Sequence, residues 1–298
     1  MGKRICVVGG MNVDITGAPR GALRLGDSNP GSVRMTPGGV GRNIAENLAR
    51  MGFSIELMAP LGNDGFAAFL ENACRLAGIS LRHAPRLMLP SSVYLCLMDA
   101  EGDMHAAIND MALCEALAPD MLDMEVLNSC SGALLDANLP RPVLERVARE
   151  ASVPLIADPV SVAKAPRLLP LLPRLAAFKP NLLEAQALTG ESDPARCARA
   201  LCRMGVRRAF VSAGLQGMYY CWEAGEGHVN APDVTVVNAT GAGDSAAAAI
   251  AAGTLLGLAT DKTACLACRV AALTLQAPSA VSPALSADVL DHVDMDED

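Results

Sequence analysis

Residues 238–244 read Asn-Ala-Thr-Gly-Ala-Gly-Asp, and this stretch decides how the last third of the chain folds. The apolar run 234–237 precedes it and the long apolar run 245–258 follows it, which predicts a strand, a glycine-rich turn and a helix. The first turn of a helix offers free backbone N–H groups and a partial positive charge to an anion. Glycine lets the backbone approach that anion closely. The stretch therefore predicts a phosphate site at this turn.

The backbone of the predicted phosphate site belongs to Gly241, Ala242 and Gly243, and the carboxylate of Asp244 follows them directly. A carboxylate repels an anion bound beside it, so its presence there calls for a functional or structural reason. It can accept the proton of a hydroxyl group that attacks a phosphoryl group held by the turn. The helix dipole also favours a carboxylate in the first turn without any function. The stretch alone leaves both interpretations of Asp244 open.

A second glycine-rich helix start lies near the N-terminus, where residues 38–43 read Gly-Gly-Val-Gly-Arg-Asn. Apolar residues continue from there at helical spacing, which predicts an amphipathic helix. Arg42 and Asn43 stand on its first turn, where their side chains can reach a polar ligand. Upstream, Asn12 and Asp14 follow the first apolar strand, and both could bind hydroxyl groups.

Composition limits the function classes. The chain has 298 residues, 51% of them hydrophobic, which suffices for one large α/β domain with a full core. The net charge of −8 and an aromatic content of 3% argue against a nucleic-acid partner. No apolar run has the length of a membrane span and the first residues show no cleavable signal, so we expect no membrane partner. The ten cysteines are scattered, as expected of reduced thiols in a cytoplasmic protein.

Strand-like and helical patterns alternate along the chain, which predicts an α/β fold with a mostly parallel sheet covered on both faces. The predicted strands are 5–8, 55–60, 132–136, 155–158, 176–178 and 209–212. The predicted helices are 39–51, 65–77, 141–151, 182–189, 194–204, 241–258 and 262–275. No linker divides the chain, so we expect one domain over residues 1–298, with the acidic end 294–298 as a solvated tail.

Segments 15–36 and 91–108 interrupt this alternation. The first is rich in glycine and polar residues, and the second alternates in the manner of a hairpin with its turn at Glu101 and Gly102. The order and spacing of the two glycine-rich motifs resemble the ribokinase family of sugar and nucleoside kinases over essentially the whole chain. The resemblance implies a ribokinase-like three-layer α/β/α domain in which these two segments form a small β-sheet lid.

The same resemblance implies a set of residues around the substrate. The residues expected to hold the sugar are Asn12, Asp14, Gly38, Gly39 and Asn43. Asn109, Asn138 and Lys164 are expected to complete the substrate site, although a surface lysine is common without any function. Four shorter segments resemble the pseudouridine kinases within the family, namely 27–31, 36–43, 107–111 and 158–161.

The resemblance also implies that ATP is the co-substrate, that Mg²⁺ is the cofactor and that Asp244 is the catalytic base. The residues expected to bind ATP are Asn181, Ser212, Gly214, Gly217 and Thr240. Glu184 is expected to contact the metal through water. Asn181 and Glu184 also fit an ordinary helix cap with a carboxylate at its third position, and the glycines after Ser212 fit a plain turn.

One departure from the family pattern concerns a monovalent cation. Many relatives have aspartate where this chain has Asn238, and that aspartate helps to bind the cation. The amide keeps a carbonyl ligand but lacks the charge, so K⁺ activation is in doubt. Segment 276–280 also lacks the glycine that is common there, so the adenine contacts of that loop do not transfer to this chain.

We therefore expect an ATP-dependent kinase acting on the 5′-hydroxyl of pseudouridine, with small molecules as its partners. A kinase for ribose or for another nucleoside is the alternative within the class. An alternative of a different class is a non-catalytic ligand-binding protein with the same fold. The sequence does not decide the oligomeric state and leaves a homodimer open.

Overall fold

The computed structural model describes residues 3–291, so the acidic segment 294–298 lies outside the described residues. The strands, numbered in chain order, are β1 (Arg4–Val8), β2 (Asn12–Pro19), β3 (Gly31–Gly38), β4 (Ser54–Met58), β5 (Ile79–Ser80), β6 (Val93–Met98), β7 (Met104–Asp110), β8 (Gly132–Asp136), β9 (Leu155–Asp158), β10 (Leu175–Phe178), β11 (Arg208–Ser212), β12 (Met218–Trp222) and β13 (Gly225–Val229).

The helices confirm each of the predicted helical segments. They are α1 (Val40–Arg50), α2 (Gly65–Leu76), α3 (Ala112–Glu115), α4 (Met124–Asn128), α5 (Arg141–Glu150), α6 (Leu182–Thr189), α7 (Pro194–Arg203), α8 (Ala242–Leu256) and α9 (Thr260–Leu275). Short 3₁₀ helices cover Pro119–Met121, Ala165–Arg174, Gly214–Gln216 and Ala287–Leu290. None of the helices between residues 3 and 291 combines the length and the apolar character that crossing a membrane requires.

Nine strands form the main sheet in the order β13-β12-β11-β10-β9-β8-β1-β4-β5. Neighbouring strands from β11 to β5 run parallel, and β12 and β13 are antiparallel additions at one edge. All six predicted strands belong to the parallel part. Side chains alternate across the sheet, so that Ile5 and Val7 join one apolar cluster while Cys6 and Val8 join another. The predicted three-layer α/β/α arrangement is therefore confirmed.

The predicted strand 234–237 is wrong, because these residues form no strand in the structure. The backbone N–H of Val237 instead donates to the carbonyl oxygen of Leu275 at the end of α9, 2.8 Å away. Val236 and Val237 are 53% and 60% exposed, so the apolar run does not enter the sheet. The glycine-rich turn is thus anchored by the carboxyl end of a helix and not by a strand ladder.

The two interrupting segments form a separate four-stranded sheet, the lid sheet, in the order β3-β2-β6-β7. The β2–β3 and β6–β7 pairs are antiparallel, and β2 pairs with β6 in parallel. The predicted hairpin turn is confirmed, because the backbone N–H of Asp99 donates to the carbonyl oxygen of Asp103 at 2.8 Å. The strands extend beyond the predicted segments at both ends, so that β2 begins at Asn12 and β7 ends at Asp110.

Candidate functional site

Polar and charged residues collect at the carboxyl ends of the parallel strands. Asp136 is the last residue of β8, Asp158 is the last residue of β9, Lys179 follows β10, and Ser212 ends β11. These four strands are consecutive neighbours in the sheet, so their carboxyl ends lie side by side. Ligands of open parallel sheets bind at this edge. The sheet order therefore assembles one candidate site from distant parts of the sequence.

The predicted phosphate turn begins α8 as expected. Gly241 caps the helix with a φ of 85°, and a Cβ atom there would lie 2.0 Å from the carbonyl oxygen of Ala280. Only glycine fits this turn, because the conformation and the space both exclude a side chain. Ala242 and Gly243 follow as the first helical residues, and Asp244 stands in the first turn.

Asp244 meets the N-terminal glycine motif directly. Its Oδ2 accepts a hydrogen bond from Nδ2 of Asn43 at 2.8 Å, across 201 residues of sequence. Asp244 is partly exposed, and the surrounding protein nevertheless crowds its carboxylate. Burial raises the pKa of Asp244 to about 7, and Asp158 and Asp136 add to the rise, whereas Asn43 and Lys179 oppose it. A carboxyl group that titrates near neutral pH can accept a proton under ordinary conditions.

Asp136 lies beneath this site and is completely buried. Its Oδ2 accepts the backbone N–H of Gly10 at 2.8 Å, and its Oδ1 accepts the backbone N–H of Asn138 at 2.9 Å. Burial raises the pKa of Asp136 to about 6, although the two N–H donors oppose the rise. Asp136 therefore fixes the backbone on both sides of the cleft and leaves substrate contacts to its neighbours.

The first turn of α1 approaches the end of β1 very closely. Gly39 has a φ of 97°, and a Cβ atom there would lie 2.6 Å from the carbonyl oxygen of Gly10. Arg42 does not reach toward a ligand as the sequence suggested. It is 5% exposed, and its Nη1 donates to Oδ1 of Asn43 at 2.9 Å and to the carbonyl oxygen of Pro37 at 3.1 Å. Arg42 thus orients Asn43, which in turn holds Asp244.

The predicted sugar-binding pair lies at the base of the lid sheet. Nδ2 of Asn12 donates to Oδ1 of Asp14 at 2.5 Å, and Asn12 is 4% exposed. Gly38 leaves the space for this carboxylate, since a Cβ atom there would lie 2.1 Å from Oδ2 of Asp14. Burial raises the pKa of Asp14, and the amide of Asn12 and the charge of Arg42 oppose the rise.

The register of the lid sheet places Asn109 with Asp14. Asp14 pairs with Tyr94, and Tyr94 pairs with Asn109, so the three side chains share one face of the sheet. Asp110 falls on the opposite face. Behind the cleft, Nζ of Lys164 donates to Oδ1 of Asn138 at 2.6 Å. The structure therefore brings Lys164 and Asn138 together and aligns Asn109 with the sugar-binding pair.

Four of the five residues expected to bind ATP lie at or just after the ends of β10 and β11, and the fifth, Thr240, lies in the turn before α8. Ser212 lies beside Asn181, because its backbone N–H donates to the carbonyl oxygen of Pro180 at 3.1 Å. Gly214 and Gly217 both have positive φ, at 58° and 82°. At Gly217 a Cβ atom would lie 2.0 Å from the carbonyl oxygen of Val229, which makes glycine necessary. The turn that contains Gly217 therefore packs against the backbone at the end of β13.

Asn181 and Glu184 form the helix cap that the sequence left open. Oδ1 of Asn181 accepts the backbone N–H of Glu184 at 2.9 Å, and Oε2 of Glu184 accepts the backbone N–H of Asn181 at 2.8 Å. Burial and the charge of Asp158 raise the pKa of Glu184, and Lys179 opposes the rise. Oε2 of Glu184 thus already accepts one backbone hydrogen bond, which leaves Oε1 as the freer acceptor for a water.

Asn238 organises its own loop. Its Oδ1 accepts the backbone N–H of Thr240 at 2.9 Å, and its Nδ2 donates to the carbonyl oxygen of Pro278 at 3.3 Å. The amide carbonyl that could serve as a cation ligand already has a hydrogen-bond donor. That oxygen keeps a second lone pair, so the effect of Asn238 on K⁺ activation stays a prediction.

The metal-binding capacity of the site is limited. Among residues 3–291, no three side chains of His, Cys, Asp or Glu stand together in a way that could hold a metal ion. Two carboxylates are committed to protein groups, Asp136 to backbone N–H groups and Asp158 to Lys179. The residues fit an ion such as Mg²⁺, which keeps several waters and is held largely by substrate phosphates. They do not fit a metal held by the protein alone.

Two cavities flank the sheet. One of about 360 Å³ lies between α9 and the end of β13, beside the turn of Gly217, and its lining includes Val229, Cys268 and Ala272. The other, of about 440 Å³, is lined by Arg207, Arg208 and Trp222 at the amino end of β11. Of these two, the first lies at the carboxyl end of β13, which runs parallel to β11, and so on the same side of the sheet as the phosphate turn.

Sequence reasoning gave no role to Lys179 or Asp136. Both are buried charged residues at the site, and Lys179 lies 3.1 Å from Asp158. Their signal in the sequence is that three successive apolar strands each end at or next to a charged residue. That pattern is informative only once the strands are known to be neighbours.

Comparisons with known proteins agree with the expected family. A family model described as the pfkB family carbohydrate kinases matches residues 2–287. The chain is 35% identical to a pseudouridine kinase of Escherichia coli (strain K12), over 83% of this chain and 82% of that protein. It is 33% identical to an uncharacterized sugar kinase, YeiI, of the same organism, over 95% of this chain and 81% of that protein.

The fold comparison agrees as well. A solved ribokinase structure from Thermotoga maritima is similar with a TM-score of 0.86 and 22% identity, and the match covers 98% of this chain and 99% of that one. The ribokinase-like fold is therefore confirmed. The chain belongs to the pfkB family of carbohydrate kinases, which are phosphotransferases with an alcohol group as acceptor.

Proposed function

We propose that the protein transfers the γ-phosphoryl group of ATP to the 5′-hydroxyl of pseudouridine, giving pseudouridine 5′-phosphate and ADP. The observation that carries the substrate assignment is the 35% identity to a protein named pseudouridine kinase. Segments 27–31, 36–43, 107–111 and 158–161 support it through their resemblance to the same group of kinases.

In this proposal Asp244 is the general base. The 5′-oxygen forms a bond to the γ-phosphorus, the bond from that phosphorus to the departing oxygen of ADP breaks, and the 5′-proton passes to the carboxylate of Asp244. A pKa of about 7 suits a base that works at neutral pH. The hydrogen bond from Asn43 holds the carboxylate in one orientation before the substrate arrives.

The phosphate turn supplies the charge stabilisation. The backbone N–H groups of Gly241, Ala242 and Gly243 are proposed to face the transferring phosphoryl group, where developing charge is held by preorganised donors. Asn12, Asp14, Gly38, Gly39 and Asn43 are proposed to hold the ribose. Mg²⁺, when bound, would offset the charge of the ATP phosphates, with Glu184 as its contact through water.

The base of ATP is proposed to enter the cavity between α9 and the end of β13. A volume of about 360 Å³ falls within the usual range of small-molecule sites. The cavity adjoins Gly217, which belongs to the expected ATP turn. Its wall includes Val229 and Ala272, which offer apolar contacts to a purine ring. Ser212, Gly214 and Thr240 would then lie along the path from the base to the phosphates.

The test of the substrate is kcat/KM for pseudouridine, uridine and ribose at saturating Mg-ATP, with ADP release as the readout. Pseudouridine carries one more ring N–H than uridine. An acceptor for that N–H that becomes buried when the nucleoside binds, and that uridine leaves unpaired, would cost ~1–3 kcal/mol, or about 5- to 150-fold. Ribose lacks the ring and should be the poorest of the three. If uridine or ribose matches pseudouridine, the substrate assignment fails and the kinase assignment stands.

A variant pair asks whether Asn109 supplies that acceptor. Asn109→Ala should lower kcat/KM for pseudouridine toward the value for uridine and leave uridine almost unchanged. Asp110→Ala is the matched control, because the next residue of β7 lies on the opposite face of the lid sheet. Equal preference for pseudouridine in both variants would remove Asn109 from the recognition of the ring.

Two alternatives have their own support. A different sugar or nucleoside is favoured by the 33% identity to YeiI, which is described only as a sugar kinase. The substrate panel decides this alternative. A non-catalytic binding protein is disfavoured, because such a protein has no need of a carboxylate that titrates near pH 7 beside a phosphate turn. Absence of ADP release with every substrate would favour it.

A further inference from the structure

A buried ammonium group lies directly beneath the phosphate turn. The side chain of Lys179 is 5% exposed, its Nζ lies 3.1 Å from Oδ2 of Asp158, and it donates to the carbonyl oxygen of Gly243 at 3.1 Å. Gly243 makes room for it, because a Cβ atom at that position would lie 3.2 Å from the same Nζ. Lys179 therefore connects the end of β10 to the first turn of α8.

Asp158 is itself held in place. Its Oδ1 accepts the backbone N–H of Val160 at 2.8 Å, while its Oδ2 faces Lys179. Val160 has a φ of 65°, a conformation that a β-branched residue rarely adopts. Strained backbone of this kind persists where the surrounding structure determines it, and it concentrates at functional sites. The position of Lys179 is thus set by a carboxylate that has little freedom to move.

Charged and polar groups face Asp244 from four elements. Asp136 comes from β8, Asp158 from β9, Lys179 from the segment after β10, and the amide of Asn43 from α1. The two carboxylates disfavour a further negative charge on Asp244, and the positive charge of Lys179 favours it. Burial would lower the pKa of Lys179, but Asp158, Glu184 and Asp244 raise it above its ordinary value, so the ammonium stays charged.

We propose that Asp158 and Lys179 form a positioning pair for the transfer step. Lys179 holds the carbonyl of Gly243 and places a positive charge beside Asp244, while Asp158 fixes Lys179 and offsets part of that charge. This inference rests on the proposed function, because it requires Asp244 as the base. In this inference both residues act through Asp244 and the phosphate turn and not by contact with the reacting atoms.

The test is the acid limb of the pH profile of kcat, measured at saturating Mg-ATP with the best substrate of the panel. Lys179→Met removes a positive charge, so the limb should move to higher pH. Asp158→Asn removes a negative charge, so the limb should move to lower pH. Each shift should be about one pH unit, the lower end of what a neighbouring charge produces. If the substitutions only loosened the site, the acid limbs of the two variants would move in the same direction.

Two further variants complete the test. Glu56→Gln is the matched control, because Glu56 on β4 is a 2% exposed carboxylate that lies outside the site and pairs with Arg4 of β1. The acid limb of the pH profile of this variant should not move. Each single variant leaves one buried charge unpaired and could fail to fold. Asp158→Asn combined with Lys179→Met removes both charges. It should fold, keep the parent's acid limb, and lose about 10- to 100-fold in kcat because the turn is no longer held.

Shifts in the same direction, or no shift in either single variant, would overturn the inference. A double variant with the kcat of the parent would overturn it too. Failure of the proposed function is distinguishable, because it would show as turnover retained in Asp244→Asn. Loss of turnover in Asp244→Asn without opposite shifts in the pair removes the positioning role and leaves the kinase intact.

Discussion

At the scale of single residues, the raised pKa of Asp244 makes it a better base and lowers the stability of the folded protein near neutral pH. Its pKa is about 7 in the folded protein, against an ordinary value of 3.8 for an aspartate. Between these values the folded state holds a proton that the unfolded chain has released. The stability that this proton contributes is therefore complete below about pH 4 and is lost as the pH rises through about 7.

The first prediction follows from this loss of stability with rising pH. Without ligands, the Tm of the parent should fall between pH 5 and pH 8 by more than the Tm of Asp244→Asn, which cannot titrate. Asp136, with a pKa of about 6, adds a fall of the same sign that both proteins share. Calorimetry at constant ionic strength measures the difference. Parallel Tm curves for the two proteins would show that the pKa of Asp244 is not raised by folding.

At this scale the sequence predicts candidate reacting groups but not their contacts. Asp244 and Asn43 were both singled out, yet their hydrogen bond depends on a sheet order that no local pattern reports. Arg42 was expected to reach a ligand, but it is buried and donates to its helix neighbour Asn43 and to Pro37 just before the helix. Lys179 was missed because its carboxylate partner lies on a different strand.

At the scale of the elements, both ends of α8 use glycine in the left-handed conformation for different reasons. Gly241 has a φ of 85° and would collide with Ala280 if it carried a Cβ atom. Gly257 has a φ of 79° with no other group within 4 Å of such an atom. Replacement by alanine costs about 1–2 kcal/mol at either position through the backbone conformation. Only at Gly241 must the phosphate turn also move.

The second prediction compares these two positions. Gly241→Ala and Gly257→Ala should both lower Tm, but only Gly241→Ala should lower kcat, because only its turn belongs to the proposed phosphate site. Gly257→Ala is the matched control, since it makes the same chemical change at the other end of the same helix. Thermal unfolding and ADP release measure the two effects. An equal loss of kcat in both variants would argue that the turn has no special role.

The third prediction concerns the lid sheet. Substrate binding should protect segments 15–36 and 91–108 from hydrogen exchange more than it protects the strands of the main sheet. A four-stranded sheet with little core of its own should open easily when the site is empty. Closure would exclude water from the transfer step. Equal exchange with and without substrate would indicate that the lid sheet is fixed.

Element patterns were predictable where the signal was local. The helices and the six parallel strands follow from hydrophobic periodicity, and the β6–β7 hairpin follows from alternation around a glycine turn. The predicted strand 234–237 failed because an apolar run without a neighbouring strand cannot complete its hydrogen bonds in a sheet. The edge strands β12 and β13 were not predicted, although each pairs with the strand just before it in the chain, because Gly225 and Gly227 weaken the strand pattern of β13.

At the scale of the whole molecule, one site is assembled from both ends of the chain. The order of the main sheet brings the ends of β1, β8, β9 and β10 together, and α8 closes over them. The family resemblance anticipated this arrangement because the motifs occur in the right order. The buried charges that support Asp244 could not be anticipated, because they depend on which strand ends are neighbours.

The most direct test of the central claim is the turnover of Asp244→Asn with Mg-ATP and the best substrate of the panel. The matched control is Asp261→Asn, which makes the same change in the first turn of the neighbouring helix α9. Asp244→Asn should keep the fold and ATP binding and lose about 10²–10⁴-fold in kcat, whereas Asp261→Asn should stay within about twofold of the parent. Turnover of Asp244→Asn within about twofold of the parent would contradict the assignment of Asp244 as the catalytic base.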